Sequence, residues 1–140
     1  MKILLDTNVV LDILLDREPF RDDSLNAMKS ALEKGHLLYL SASAVTDVFY
    51  VLRKATRSKQ ETLIHLRTLL KIVSIASANE KIILNAVGSQ ISDFEDAVVD
   101  ETASYNDIDL ILTRNSKDFR KANTKVMTPA EYLKSDNVRP

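Results

Sequence analysis

Short apolar runs separated by long stretches of helical periodicity limit this chain more than any other feature. Ile3 to Leu5, Leu37 to Leu40, Ile72 to Ile75, Leu110 to Leu112 and the residues around Val126 read as buried strands. Between them apolar residues recur at helical spacing: Leu25, Met28 and Leu32 before a stop at Gly35, then Val45, Val48, Phe49 and Leu52. Leu63, Leu66 and Leu70, and later Ile82, Ile83 and Ala86, continue the pattern. Strands alternating with helices predict a parallel sheet of the α/β class.

Helix starts are marked by Ser/Thr-x-x-Glu capping patterns at Ser58/Glu61, Ser77/Glu80, Ser92/Glu95 and Thr128/Glu131, the last with Pro129 at the first helical position. At 140 residues, 45% of them hydrophobic, the chain can bury one substantial core. No repeat or Gly/Pro/Ser-rich linker divides it, so residues 1–134 read as a single domain, with a polar tail over 135–140 and fraying from Lys134 onward. No apolar stretch approaches the roughly 18 residues of a membrane span, which predicts a cytoplasmic protein that does not engage a membrane. A net charge of −1 offers no global field for a polyanion, so a nucleic-acid partner would have to be met by local patches.

The chain has no Cys, and its two histidines, His36 and His65, are far apart in sequence. Disulfides, thiolate nucleophiles and Cys-based zinc sites are excluded, and any metal must be held mainly by oxygen. His36 reads as a residue at a helix end and His65 as a helix-surface residue. The acids therefore carry the chemistry. Asp6 closes the first strand, where it can cap the following helix or face the ligand-binding edge of an α/β sheet. Asp47 falls in a helix expected over Ser43 to Arg57, at the border of its apolar stripe, where pairing with Arg53 or Lys54 is the alternative to function.

Five acids lie between Asp93 and Glu101 with no basic residue among them, although like charges at this spacing destabilise a helix. The helix dipole and a capping box account for Glu95 and partly for Asp93, but not for Asp96 and Asp100. A right-handed crossover returns the N-terminus of this helix, with Asp96, to the edge that holds Asp6, and the same argument brings Asp47 there. Asn115 and Asp118 follow the strand ending at Leu112. Carboxylates drawn to one rim raise one another's pKa unless a cation lies between them. Oxygen donors suit hard ions, Mg²⁺ or Mn²⁺, and an open multi-carboxylate site suits phosphodiester hydrolysis.

Taken together, Leu-Leu-Asp6-Thr7-Asn8, Asp47, Asp-Phe-Glu-Asp96-Ala and Leu-Thr113-Arg-Asn115-Ser-Lys-Asp118-Phe119 resemble the PIN domain, and VapC-like prokaryotic ribonucleases within it, over nearly the whole chain. The resemblance implies a three-layer fold, a parallel sheet of about five strands with helices on both faces. It implies metal-dependent RNA cleavage with Asp6, Asp47, Asp96 and Asp118 as catalytic metal ligands, supported by Asn8, Thr113 and Asn115. It also implies a toxin of a toxin–antitoxin pair, often a homodimer inhibited by a small antitoxin. The sequence departs from the family pattern at Asp47, where Glu is more common, and at Asn115, where many relatives carry Asp. Asp100 and Glu101 replace residues that are usually apolar, and Asp100 is not counted among the ligands.

Beside this rim Arg114, Lys117, Arg120, Lys121 and Lys125 stand against one acid, Asp118, a candidate RNA-binding run in which Arg114, Lys117, Arg120 and Lys121 are the principal residues. A second basic set, Arg53, Lys54, Arg57 and Lys59, has no such neighbour. Phe49, Tyr50 and Phe119 are too few to predict a base-stacking platform. Aspartyl phosphatases need a second acid where Asn8 stands, and receiver domains need an acidic pair in the first loop. The remaining alternative is a PIN-fold module that binds RNA or protein with little or no cleavage.

Overall fold

Five strands form one all-parallel sheet in the order β3-β2-β1-β4-β5, comprising β1 (Lys2–Leu5), β2 (Leu37–Ser41), β3 (Val73–Ala76), β4 (Leu110–Leu112) and β5 (Val126–Met127). The computed structural model describes residues 1–138, with side chains to Ser135. The chain builds outward from β1 to β3, then crosses back to lay β4 on the other side of β1. This reversal makes the carboxyl ends of β1 and β4 the switch point at which an open α/β sheet forms its crevice.

Among the described residues seven helices cover the sheet: α1 (Thr7–Leu14), α2 (Arg21–Glu33), α3 (Ala42–Thr56), α4 (Lys59–Leu70), α5 (Glu80–Val87), α6 (Phe94–Tyr105) and α7 (Pro129–Val138), with a 3-10 turn over Ser116–Phe119. Alternation along the strands sorts the core. Ile3, Leu5, Leu38, Leu40, Leu110 and Leu112 face one side, packing with Val9 and Val10 of α1, Ala27 and Ala31 of α2, Val48 and Leu52 of α3 and Tyr132 of α7. Leu4 and Ile111 face the other, against Ala103 of α6, Ile108 and Phe119. Helices thus lie on both faces, giving the three layers the resemblance implied.

Local signals explain most boundaries. Gly35, at φ 76°, ends α2 in a Schellman motif: its N–H donates to the Leu32 carbonyl and that of His36 to the Ala31 carbonyl, both at 3.0 Å. Ser58 and Thr128 cap as expected, accepting from the N–H groups of Glu61 and Glu131. Two caps differ from the sequence reading. Asn79 rather than Ser77 starts α5, and Asp93 rather than Ser92 starts α6, because an Asx side chain directly before the helix reaches the N3 amide. Leu32, Leu70 and Ile83 are exposed rather than core, the buried stripes being formed by neighbours such as Ala31, Leu69 and Ile82.

The helix at the C-terminal end runs past Lys134. α7 continues to Val138 and packs against α2, with Tyr132 buried, so the boundary at 134 falls inside a helix; residues 139 and 140 of the tail lie outside the described residues. Among the described residues no helix is long and apolar enough to cross a membrane.

Candidate active site

Asp6 follows β1 directly and caps α1, so the two readings of this residue are compatible. Its Oδ1 accepts from the Thr7 N–H at 2.9 Å, and its Oδ2 accepts from Thr113 Oγ1 at 2.7 Å and Asn8 Nδ2 at 3.2 Å. The Asp6 N–H donates to the Leu112 carbonyl at 2.9 Å, joining the ends of β1 and β4. Asn8 is fixed in turn by the Arg114 N–H, which donates to its Oδ1 at 3.1 Å, and the Asn115 N–H donates to Thr113 Oγ1 at 3.2 Å. Two side chains and one backbone amide, from two distant segments, thus set one carboxylate in a single orientation.

A cleft of about 540 Å³ opens over Asp6. Its walls carry Asp47 from α3, Asp93, Glu95 and Asp96 from the start of α6, Asp118 from the 3-10 turn, and Asn8 and Asn115. The four acids anticipated at this rim are therefore brought together, and Asp93 and Glu95 join them. Asp93 was passed over because its capping role hid its second position, on the cleft wall. Arg17 and the exposed Tyr50 also line the cleft. Arg17 carried no sequence signal, since only the return of the chain after α1 brings it there.

The electrostatics follow from this crowding. Burial pushes the Asp6 carboxyl up, an effect opposed by hydrogen bonds from Thr113, Thr7 and Asn8 and reinforced by Asp93. Asp96 is pushed up to about 7, first by burial and then by Asp93, Asp6, Asp118 and Glu95. Glu95, although exposed, is raised by partial desolvation and by Asp47 and Asp93. Two N-terminal helix dipoles, those of α1 and α6, also point at the cleft and favour negative charge there. Even so, the carboxylates are not balanced.

Such a donor set fits a hard divalent cation, because it is all oxygen and lacks its counter-charge. Among the described residues no group of three or more acids or histidines stands close enough together to hold a metal ion by itself, so protein carboxylates would supply only part of an ion's coordination here. An open arrangement is what Mg²⁺-type sites use, with one or two carboxylates and several waters. His36 lies at the amino terminus, with Nδ1 2.9 Å from the Met1 amine, and the exposed His65 lies 3.9 Å from Glu61. Neither lines the cleft.

A PIN domain family model matches residues 2–117. This chain is a PIN-domain protein. Over 98% of its length it is 28% identical to Ribonuclease VapC1 of Aquifex aeolicus (strain VF5), covering 96% of that protein. Among solved structures it resembles FitAcB from Neisseria gonorrhoeae, with a TM-score of 0.72, 22% identity, and 91% and 98% of the two chains covered. A toxin–antitoxin complex from Klebsiella pneumoniae aligns at a TM-score of 0.67 and 26% identity, covering 91% of this chain and 97% of that one. In this PIN domain Asp6, Asp47, Asp96 and Asp118 all line the cleft just described.

The basic residues are distributed differently from the sequence expectation. Arg114 turns away from the cleft: its Nε lies 2.8 Å from Asp12 and its guanidinium lies over the Phe20 ring, 4.1 Å from the centroid. Lys121 lines a separate groove with Glu101 and Gln90. Lys117 and Arg120 are exposed on the 3-10 turn and just after it, beside Asp118. Arg53 and Lys54 occupy the last turn of α3, where they complement its dipole.

Proposed function

We propose that this PIN-domain protein is a divalent-metal-dependent endoribonuclease and the toxin of a toxin–antitoxin pair. The observation that carries this is the convergence of uncompensated carboxylates from four segments at the sheet's switch point, with Asp96 pushed up to about 7. Kinship with a protein named a ribonuclease and with one described as a toxin–antitoxin complex supports the substrate and the partner. Asp6, Asp96, Asp118 and Asp47 would hold Mg²⁺ or Mn²⁺. A bound ion of this class supplies a nucleophilic water at neutral pH and neutralises charge on the phosphodiester oxygens.

The chain's own groups do the rest. Thr113 and Asn8 hold Asp6 in the orientation a ligand needs, and Asn115, on the cleft wall, offers a neutral donor to a phosphate oxygen. Asp96, whose carboxyl is pushed up by burial and by the acids around it, is the proposed ligand with most to gain from a bound cation. Lys117 and Arg120, exposed on and just after the turn that carries Asp118, and Arg17, which lines the cleft, are the cations that would meet the RNA backbone. The protein would act in the cytoplasm as a homodimer held inactive by a small antitoxin.

The purified protein is expected to cleave RNA in Mg²⁺ or Mn²⁺, to stop in EDTA, and to lose cleavage in Asp6→Asn and Asp96→Asn variants that remain folded. RNA binding without cleavage would favour the binding-module reading, and cleavage surviving both substitutions would contradict the metal-site assignment. Toxin status predicts growth arrest on expression, relieved by a small protein encoded beside it. Normal growth with active enzyme present would contradict it.

A further inference from the structure

Asp12 is fully buried on α1 beside Val9, Val10 and Leu11, and it pairs with Arg114, whose guanidinium lies over the Phe20 ring. Arg114 Nε lies 2.8 Å from Asp12 Oδ2, a buried charge pair whose N–H is poorly aligned with the carboxylate oxygen. Burial pushes the Asp12 carboxyl up despite the pull of Arg114 and Arg17. Desolvation therefore outweighs the attraction, and a pair of this kind is often replaced by apolar residues with no loss of stability. Stability alone does not explain why two charges are held there.

Their placement does. Asp12 lies one turn beyond Asn8 on the same face of α1, and Arg114 directly follows Thr113. These are the segments that orient Asp6, through Thr113 Oγ1 at 2.7 Å and Asn8 Nδ2 at 3.2 Å. The loop leaving β4 is already tied to α1 once, by the Arg114 N–H to Asn8 Oδ1 at 3.1 Å. The ion pair ties it a second time, one turn deeper, and two points of attachment prevent the loop from pivoting about the first. We infer that Asp12 and Arg114 are positioning residues, a buried clasp that holds the Thr113–Asn115 loop against α1 and so keeps Thr113, Asn8 and Asn115 set toward Asp6.

This rests on the cleft being a metal-dependent nuclease site, and the test separates the two. Two doubly substituted proteins are compared with wild type: Asp12→Leu with Arg114→Met, which replaces the pair by apolar bulk, and Asp12→Asn with Arg114→Gln, which keeps polarity and removes charge. Each is measured for thermal stability, for Mn²⁺ affinity by calorimetry, and for kcat and KM on RNA. The expected result is a folded protein whose Mn²⁺ affinity and kcat each fall about 10–100-fold, the cost typical of losing support behind a metal ligand, with KM within about twofold. Arg114→Lys, which keeps the charge but not the planar stack on Phe20, should lie between these and wild type.

Wild-type Mn²⁺ affinity and kcat in either folded double variant would overturn the clasp. So would a rise in KM at unchanged kcat, the signature of an arginine that contacts RNA instead, or a failure of both double variants to fold, which would make the pair structural. If wild type binds Mn²⁺ but does not cleave RNA, the nuclease reading fails while the affinity comparison still decides the clasp.

Discussion

Asp96 and Asp100 are one turn apart on α6, and the protein treats their charges in opposite ways. Asp100 is buried, and its two oxygens accept from the Asn123 N–H at 3.1 Å each, with the Thr124 N–H at 3.2 Å from Oδ1. Those donors belong to the loop that leads into β5, so the carboxylate fastens the sheet edge. Asp96 faces the cleft, where its nearest charged neighbours are Asp6, Asp93, Asp118 and Glu95. Asp100 is answered by donors from the fold, whereas Asp96 meets chiefly other acids. The sequence anomaly, five acids in nine residues, thus has two separate causes.

The contrast is sharpest in activity. Asp6→Asn or Asp96→Asn should reduce RNA cleavage by more than the roughly 10–100-fold that follows loss of a supporting group in a metal site. Asp100→Asn should leave turnover near wild type and instead lower stability by on the order of 1–3 kcal/mol, because an amide nitrogen cannot accept from the loop amides. Single-turnover kinetics and urea melts distinguish these outcomes, and a cleavage defect in Asp100→Asn as deep as that in Asp96→Asn would erase the distinction. Thr113→Val, which keeps shape but removes the hydroxyl donated to Asp6, should cost about 10–100-fold in kcat.

Stability should respond to pH in a way that belongs to the cleft alone. A carboxyl raised in the folded state contributes stability that is fully present below its ordinary, unfolded pKa and is lost as pH rises through the folded value, here about 7 for Asp96. The Tm of the metal-free protein should therefore fall by several degrees between about pH 5 and about pH 8, and Mn²⁺ should restore it. Asp96→Asn should flatten most of that fall. The smallest effect is expected outside the cleft: Lys117→Ala with Arg120→Ala should raise KM for RNA and reduce the salt dependence of binding by about one to two ion equivalents, with kcat unchanged.

Much of the sheet was legible because apolar runs of strand length leave few alternatives, and the strand-end positions of Asp6 and Asp118 follow from that pattern alone. Asp47 and Asp96 were legible through chain direction, since a helix returning from a parallel crossover starts at the edge where the strands end. Side-chain direction after β4 was not legible. Arg114 looks like one of a basic run, and only the partner across space, Asp12, turns it inward; Asp12 itself sits in a helix whose pattern shows nothing but apolar neighbours. Asp93 was obscured because one residue performs two tasks, capping α6 and lining the cleft. α7 packs against α2 with Tyr132 buried, a tertiary contact that the polarity of the segment does not report.

Calorimetric titration of Mn²⁺ into the metal-free wild-type protein, the Asp96→Asn variant and the Asp100→Asn variant at about pH 7.5 addresses the unbalanced charge itself. Saturable uptake by wild type and Asp100→Asn, with proton release on binding, and none by Asp96→Asn is the predicted result. Equal uptake by all three proteins, or no uptake by the wild type, would contradict it.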